Sequence, residues 1–82
     1  MKNKLKDLRT QRSVSQNALA EALSVSRQTI NSIENGKFDP SLTLAMKLTR
    51  FFEVSLDEIF IYKDELGINF SKLIIYKIIP RY

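Results

Sequence analysis

Apolar residues in the first three quarters of the chain recur three and four positions apart, the spacing that places them on one face of a helix. Polar stretches and an Asp-Pro step interrupt these repeats and divide this part of the chain into five short segments. The predicted helical spans are 3–12, 16–23, 27–35, 41–52 and 56–60. Five helices in about 60 residues predict a compact all-α domain.

The fourth segment is expected to be the main core element, because its apolar stripe is the widest in the chain. That stripe consists of Leu42, Ala45, Leu48 and Phe52, broadened by Leu44 and Phe51. The first and second segments each carry two leucines spaced so that both lie on the buried side of a helix. They are Leu5 and Leu8 in the first segment, and Leu19 and Leu23 in the second.

Serine residues stand just before several of the predicted helices. Ser15 and Ser26 each occupy a position where a hydroxyl accepts a hydrogen bond from an unpaired amide of the first turn. Ser55 with Glu58 three residues later matches the clearest capping box in the chain. Gly36 follows the third helix, where its lack of a Cβ permits a left-handed cap.

The third helix presents one continuous polar face. With Arg27 set at zero degrees, positions at roughly 40, 80, 100 and 140 degrees are held by Asn31, Asn35, Gln28 and Ser32. The two isoleucines of this helix point the opposite way. Arginine pairs with guanine, and glutamine or asparagine with adenine, on base edges in the major groove. Because a tight corner joins this helix to the second, the pattern predicts a helix-turn-helix with a recognition helix; the alternative is an ordinary solvated helix face.

Composition narrows the function. Thirteen Lys and Arg against nine Asp and Glu give a net charge of +4, which favours an anionic partner. The chain has no cysteine and no histidine, so the commonest metal ligands and the commonest general base are absent. We therefore expect no enzyme activity, no metal and no cofactor. We also expect a cytoplasmic protein without a membrane span, because the longest apolar run, 73–79, is far too short and contains Lys77.

Several short sequence motifs follow one another in order along the chain. They are Leu-x-x-Leu-Arg in the first helix, Ser-Gln-x-x-Leu-Ala at the second, Val-Ser-Arg-Gln-Thr-Ile at the third, then Glu-Asn-Gly-Lys, Pro-Ser-Leu and Val-Ser-Leu-Asp-Glu-Ile-Phe. From about Leu5 to Phe60 the chain resembles the phage-repressor and Cro-like, or xenobiotic-response-element (XRE), helix-turn-helix family. The resemblance implies a lambda-repressor-like fold and a small stand-alone transcriptional regulator, in particular a repressor.

The resemblance also implies which residues contact DNA. The pair that enters the major groove first is matched by Arg27 and Gln28. One turn later, at positions that reach bases or phosphates, lie Asn31 and Ser32. Gln16 matches a position that hydrogen-bonds a phosphate and buttresses the recognition helix. Asn35 and Lys37 match phosphate-contacting positions after that helix.

Three further residues are informative by comparison with the family. Arg9 and Glu34 match an ion pair that ties the first helix to the end of the third; the alternative is two unrelated surface charges. Ser24 departs from the family, which usually has glycine at this corner. If the backbone there is left-handed, a serine costs on the order of 1 kcal/mol.

The chain continues beyond the motifs. We expect residues 1–61 to form the DNA-binding domain and residues 62–82 to form a short apolar C-terminal tail. A strand there would have two apolar faces, one with Leu73, Ile75 and Ile79 and the other with Ile74, Tyr76 and Ile78. The many isoleucines favour a strand, with a helix over 71–79 as the alternative. Such a segment is expected either to pair two copies into a homodimer or to fold back on its own domain as a core lid.

Together these features predict a sequence-specific regulator that binds double-stranded DNA. As a homodimer it would occupy a palindromic operator with half-sites about 34 Å apart. The alternative is a protein-interaction module, such as an antitoxin-like partner whose tail wraps a second protein. A non-specific nucleic-acid binder is disfavoured, because the charge is modest and no aromatic residues interleave the basic ones on the recognition face.

Overall fold

The computed structural model describes residues 1–62, so the predicted tail lies outside the described residues apart from Tyr62. Within this range the chain forms five helices and no sheet, which confirms the all-α prediction. The helices are α1 (Leu5–Gln11), α2 (Gln16–Leu23), α3 (Arg27–Glu34), α4 (Leu42–Phe52) and α5 (Leu56–Ile59).

All five helices contribute to one hydrophobic core. The side chains with no exposed surface are Leu5 of α1, Leu19 of α2, Ile30 and Ile33 of α3, Leu48 and Phe52 of α4, and Ile59 of α5. Removing one such side chain from water stabilises a fold by about 1.5 to 3 kcal/mol. Because the two isoleucines fix one side of α3 in this core, the opposite side of α3 is turned outwards.

Serine caps set the start of the two helices of the motif. The Ser15 hydroxyl accepts a hydrogen bond from the amide of Ala18 at 3.0 Å, and Ser26 accepts one from Thr29 at 3.1 Å. Both bonds satisfy a first-turn amide that has no partner within the helix. The predicted caps of α2 and α3 are therefore confirmed.

The corner between α2 and α3 is left-handed. Ser24 has φ 59° and ψ 43°, the conformation in which a serine carries the strain expected from the sequence. The Lys47 ammonium group of α4 donates a hydrogen bond to the Leu23 carbonyl at 3.2 Å, next to this corner. A cation there satisfies a carbonyl at the end of α2 and complements the negative end of its dipole.

The predicted capping box at α5 is wrong. The Ser55 hydroxyl lies 2.7 Å from an Asp57 carboxylate oxygen and makes no capping hydrogen bond to the backbone of α5. The hydroxyl donates its hydrogen to the charged Asp57 carboxylate, a strong acceptor, and in this orientation its oxygen accepts from no amide of α5. The Glu58 amide instead donates to the Ser55 carbonyl at 3.1 Å.

Helix α1 begins at Leu5, two residues later than predicted. Asn3 instead forms an antiparallel bridge with Phe60, and the flanking amide of Lys4 donates to the Ile59 carbonyl at 2.7 Å. The Ile61 amide also donates to the carbonyl of residue 2, at 2.9 Å. These long-range bonds tie the first residues to the end of α5 and to the residues that follow it.

Leu42 is not part of the core, contrary to the prediction. It is 75% exposed, whereas the buried residues of α4 are Leu44, Ala45, Leu48 and Phe52. With Leu42 at zero degrees, these four lie at roughly 200 to 300 degrees on the helical wheel. Leu42 is thus about 110 degrees from the middle of the buried face, and Met46, one turn later, is also exposed.

Candidate nucleic-acid interface

The polar face predicted on α3 points away from the core. Arg27, Gln28, Asn31 and Asn35 are exposed, and Ser32 is half-buried. These five side chains follow the outer surface of one short helix and its C-terminal residue. The arrangement therefore presents guanidinium and amide groups, the donors and acceptors that match base edges, on a convex surface that the major groove admits.

Two asparagines on this face are connected. The Asn35 side-chain amide donates a hydrogen bond to the Oδ1 atom of Asn31 at 2.8 Å. The residues are four apart, the spacing at which side chains of one helix meet. The bond leaves the Nδ2 donor of Asn31 and one of its two acceptor lone pairs available to a ligand.

The C-terminal end of α3 turns sharply at Gly36. This glycine has φ +73°, and its amide donates to the Ile33 carbonyl at 3.0 Å. The Lys37 amide donates to the Ser32 carbonyl, also at 3.0 Å, which completes a Schellman motif. The turn places the exposed Lys37 directly beyond the polar face of α3.

A buried ion pair ties α1 to the end of α3. Arg9 Nε donates to Glu34 Oε2 at 2.7 Å, and Arg9 Nη2 donates to Oε1 at 3.2 Å. Only 11% of the Arg9 side chain and 3% of the Glu34 side chain are exposed. The hydrogen bond with Glu34 raises the pKa of Arg9, desolvation opposes this, and the charge of Glu34 adds to it, so the guanidinium stays ionised.

The helix α2 joins the same network. Gln16 Nε2 donates to Glu34 Oε1 at 3.0 Å, and Arg9 Nη1 donates to the Val14 carbonyl at 3.0 Å. Glu34 therefore accepts from two elements at once, and its carboxylate is satisfied although it is buried. One N–H of the Gln16 amide is used in this contact, and the second remains as a donor.

Asn3 is a supporting residue that the sequence analysis missed. Its Nδ2 atom donates to the Ile33 carbonyl of α3 at 2.8 Å, and its Oδ1 atom accepts from the Leu5 amide at 3.1 Å. The side chain thus connects the first residue of α1 to the last turn of α3. An asparagine before a helix is a local signal for a cap, but nothing local indicates a partner 30 residues away.

Within residues 1–62, no group of three or more carboxylate, imidazole or thiolate side chains is placed to hold a metal ion. No helix in the same range is long and apolar enough to cross a membrane.

Comparison with known proteins agrees with this geometry. A sequence profile described as helix-turn-helix matches residues 5–59. The chain belongs to the helix-turn-helix family. This is a family of DNA-binding domains of transcriptional regulators, not an enzyme family. The chain is therefore a DNA-binding transcriptional regulator, as its sequence predicted.

One archaeal and one bacterial relative match this chain over nearly the whole of their own length. The helix-turn-helix protein is 55% identical over 65 residues to the uncharacterized HTH-type transcriptional regulator MJ0272 of Methanocaldococcus jannaschii, covering 79% of this chain and 98% of that protein. It is 42% identical, with the same coverage, to the uncharacterized HTH-type transcriptional regulator YgzD of Bacillus subtilis.

A solved structure shows the same fold. The restriction-modification controller protein C.AhdI from Aeromonas hydrophila is 30% identical in sequence and superposes with a TM-score of 0.63. The match covers 70% of this chain and 86% of that one. The five helices of the helix-turn-helix protein therefore have the arrangement of a known controller protein.

Proposed function

We propose that the protein binds double-stranded DNA in a sequence-specific manner, with α3 in the major groove, and represses transcription by occupying an operator. The observation that carries this proposal is the exposed polar face of α3, which is fixed from behind by buried isoleucines and by the Arg9–Glu34 ion pair. A rigid support reduces the entropy that is lost when side chains are ordered on a ligand. Occupying DNA needs no catalysis and no cofactor. The proposal places the protein in the cytoplasm.

Base contacts are assigned to the first two turns of α3. Arg27 suits a bidentate contact to guanine, and Gln28 and Asn31 suit bidentate contacts to adenine. The Asn31 amide is oriented by its hydrogen bond from Asn35 at 2.8 Å, which supports a defined geometry towards a base. Ser32 is half-buried beside them and reaches either a base or a phosphate.

Phosphate contacts are assigned to Gln16, Asn35 and Lys37. The free N–H of Gln16, the remaining donor of Asn35 and the ammonium group of Lys37 all lie at the C-terminal end of α3, because Gln16 is bonded to Glu34, the last residue of that helix. Contacts of this kind set the register of a protein on the duplex but carry no sequence information. We therefore expect affinity to fall with salt and specificity to depend on the other residues.

The regulator is proposed to act as a homodimer joined through the tail region, residues 62–82, on a palindromic operator. The apolar composition of that region supports the proposal. A second support lies within the described residues, where the exposed side chains of Leu42, Met46 and Leu56 line one shallow apolar depression between α4 and α5. Apolar surface of this kind marks sites of association.

The proposed function is tested by selecting duplexes from a random pool and measuring affinity by fluorescence anisotropy at one fixed, near-physiological salt concentration. We expect a palindromic consensus that binds about 10³-fold or more tighter than a scrambled duplex. Equal affinity for both duplexes, or a stoichiometric second protein that replaces DNA as the partner, would contradict the proposal.

A further inference from the structure

Phe38 is an apolar side chain that lies 49% exposed in the loop after α3. It lines a shallow surface depression whose other side chains are Ser26, Gln28, Thr29 and Ser32. Gln28 is one of the residues assigned to base contacts. The phenyl ring and a base-reading amide therefore share one small surface on the side of the molecule proposed to face DNA.

The hydroxyl groups in this depression are partly engaged with each other. The Oγ atom of Ser26 and the Oγ1 atom of Thr29 are hydrogen-bonded at 2.8 Å, and Ser26 Oγ also accepts from the Thr29 amide at 3.1 Å. The depression thus combines an apolar ring, the half-buried Thr29 and an exposed amide. A ligand that fits it has an apolar group directly beside hydrogen-bonding atoms.

We propose that this depression receives the C5-methyl group of a thymine adjacent to the base pair that Gln28 contacts, which makes Phe38 a specificity-determining residue. The inference deepens the proposed function and rests on it. Among the four bases only thymine places a methyl group in the major groove, and phenyl and threonine methyl groups are among its natural contacts. Cytosine carries only a hydrogen at C5 and therefore leaves the depression unfilled, and its N4 amino group stands where thymine has the O4 acceptor.

The expected contribution is modest and measurable. Excluding one methyl group from water strengthens binding by about three- to five-fold. Uracil differs from thymine only by this methyl group and keeps the same hydrogen-bonding edge. Replacing the relevant thymine with uracil should therefore weaken binding by about that factor, whereas replacements at other thymines in the operator should leave affinity unchanged.

The test is a uracil scan of the selected operator, one thymine at a time, read by anisotropy titration of the full chain. The test variant is Phe38→Ala, which removes the ring. Phe38→Leu is the conservative variant, because it retains an apolar side chain. Gln11→Ala is the control, because Gln11 is also exposed but lies on α1, outside the depression. The measured quantity is the ratio of the affinities for the thymine duplex and for the uracil duplex at each position. We expect this affinity ratio, at one position per half-site, to fall to about one in Phe38→Ala and to persist in Phe38→Leu and in the control.

Three outcomes would overturn the inference. The first is a selected operator in which replacing any thymine with uracil leaves the affinity of the wild-type protein unchanged. The second is a thymine-to-uracil affinity ratio that is as large in Phe38→Ala as in the wild type. The third is an equal loss of affinity for thymine and uracil duplexes in Phe38→Ala, which would assign the ring to the sugar-phosphate backbone. In all three the operator is still bound, so the proposed function stands; failure to select any consensus would refute both.

Discussion

Replacing Glu34 with alanine should destabilise the domain by about 3 to 5 kcal/mol, because it leaves the Arg9 guanidinium buried without a counter-charge. The substitution removes the acceptor of two hydrogen bonds from Arg9 and of one from Gln16. Only 11% of the Arg9 side chain is exposed, so water replaces these bonds poorly. A domain of this size is stable by only about 3 to 9 kcal/mol, so the variant should lose much or all of its folded population.

The measurement is urea unfolding of Glu34→Ala, followed by far-ultraviolet circular dichroism, together with a double-mutant cycle built from Arg9→Met and Glu34→Leu. We expect each single variant to be strongly destabilised and the double variant to recover a large part of the loss, because two apolar side chains leave no unpaired charge. A loss below about 1 kcal/mol in both single variants, the value typical of exposed pairs, would refute the assignment of a buried ion pair.

Three further perturbations separate the roles assigned above. Ser15→Ala should lower the free energy of unfolding by about 1 kcal/mol and Ser55→Ala by only a few tenths, because of these two serines only Ser15 caps a helix amide. Thermal unfolding measures both losses, and equal losses would contradict the assignment of the caps. Lys37→Ala should weaken binding to all duplexes alike and reduce the salt slope by about 1, in anisotropy titrations at several salt concentrations; a change of preferred sequence would contradict a phosphate role. Removing residues 65–82 should convert the dimer to a monomer in analytical ultracentrifugation, and an unchanged oligomeric state would contradict dimerisation through the tail.

Local features of the structure followed well from the sequence. The span of α2 agrees with the prediction residue for residue, since a serine cap and a left-handed corner are set by neighbouring residues. The polar face of α3 was predictable for the same reason, because 3.6 residues per turn fix which side chains share a face. The left-handed backbone at Ser24 was anticipated only from the resemblance to a family that usually has glycine there.

Features that depend on distant partners did not follow from the sequence. Asn3 was predicted to be helical, yet its bridge to Phe60 and its bond to the Ile33 carbonyl hold it outside α1. The periodicity of α4 included Leu42 in the apolar stripe, but the stripe is wider than the surface that the other helices cover. Ser55 fitted a local capping pattern, but its hydroxyl donates to the Asp57 carboxylate and accepts from no amide of α5.

The candidate site also combines features that follow from neighbouring residues with features that depend on distant ones. The base-reading set came from periodicity and residue type, whereas a contact of Gln16 with α3 was expected only from the family resemblance, and the structure identifies its partner as Glu34, 18 residues away. The ion pair of Arg9 with Glu34 was expected only from the family resemblance, and the structure contains it. The depression beside Phe38 brings a loop residue next to the start of α3 and had no sequence signal.

The most direct test of base reading by α3 is the affinity of Gln28→Ala for the selected operator and for a panel with every single base-pair change, at one fixed salt concentration. Gln11→Ala is the control, because Gln11 is also exposed and helical but lies on α1. We predict that Gln28→Ala loses about 1 to 3 kcal/mol of discrimination at one position per half-site and keeps it elsewhere, while the control retains all of it. Unchanged discrimination at every position in Gln28→Ala would contradict the central claim.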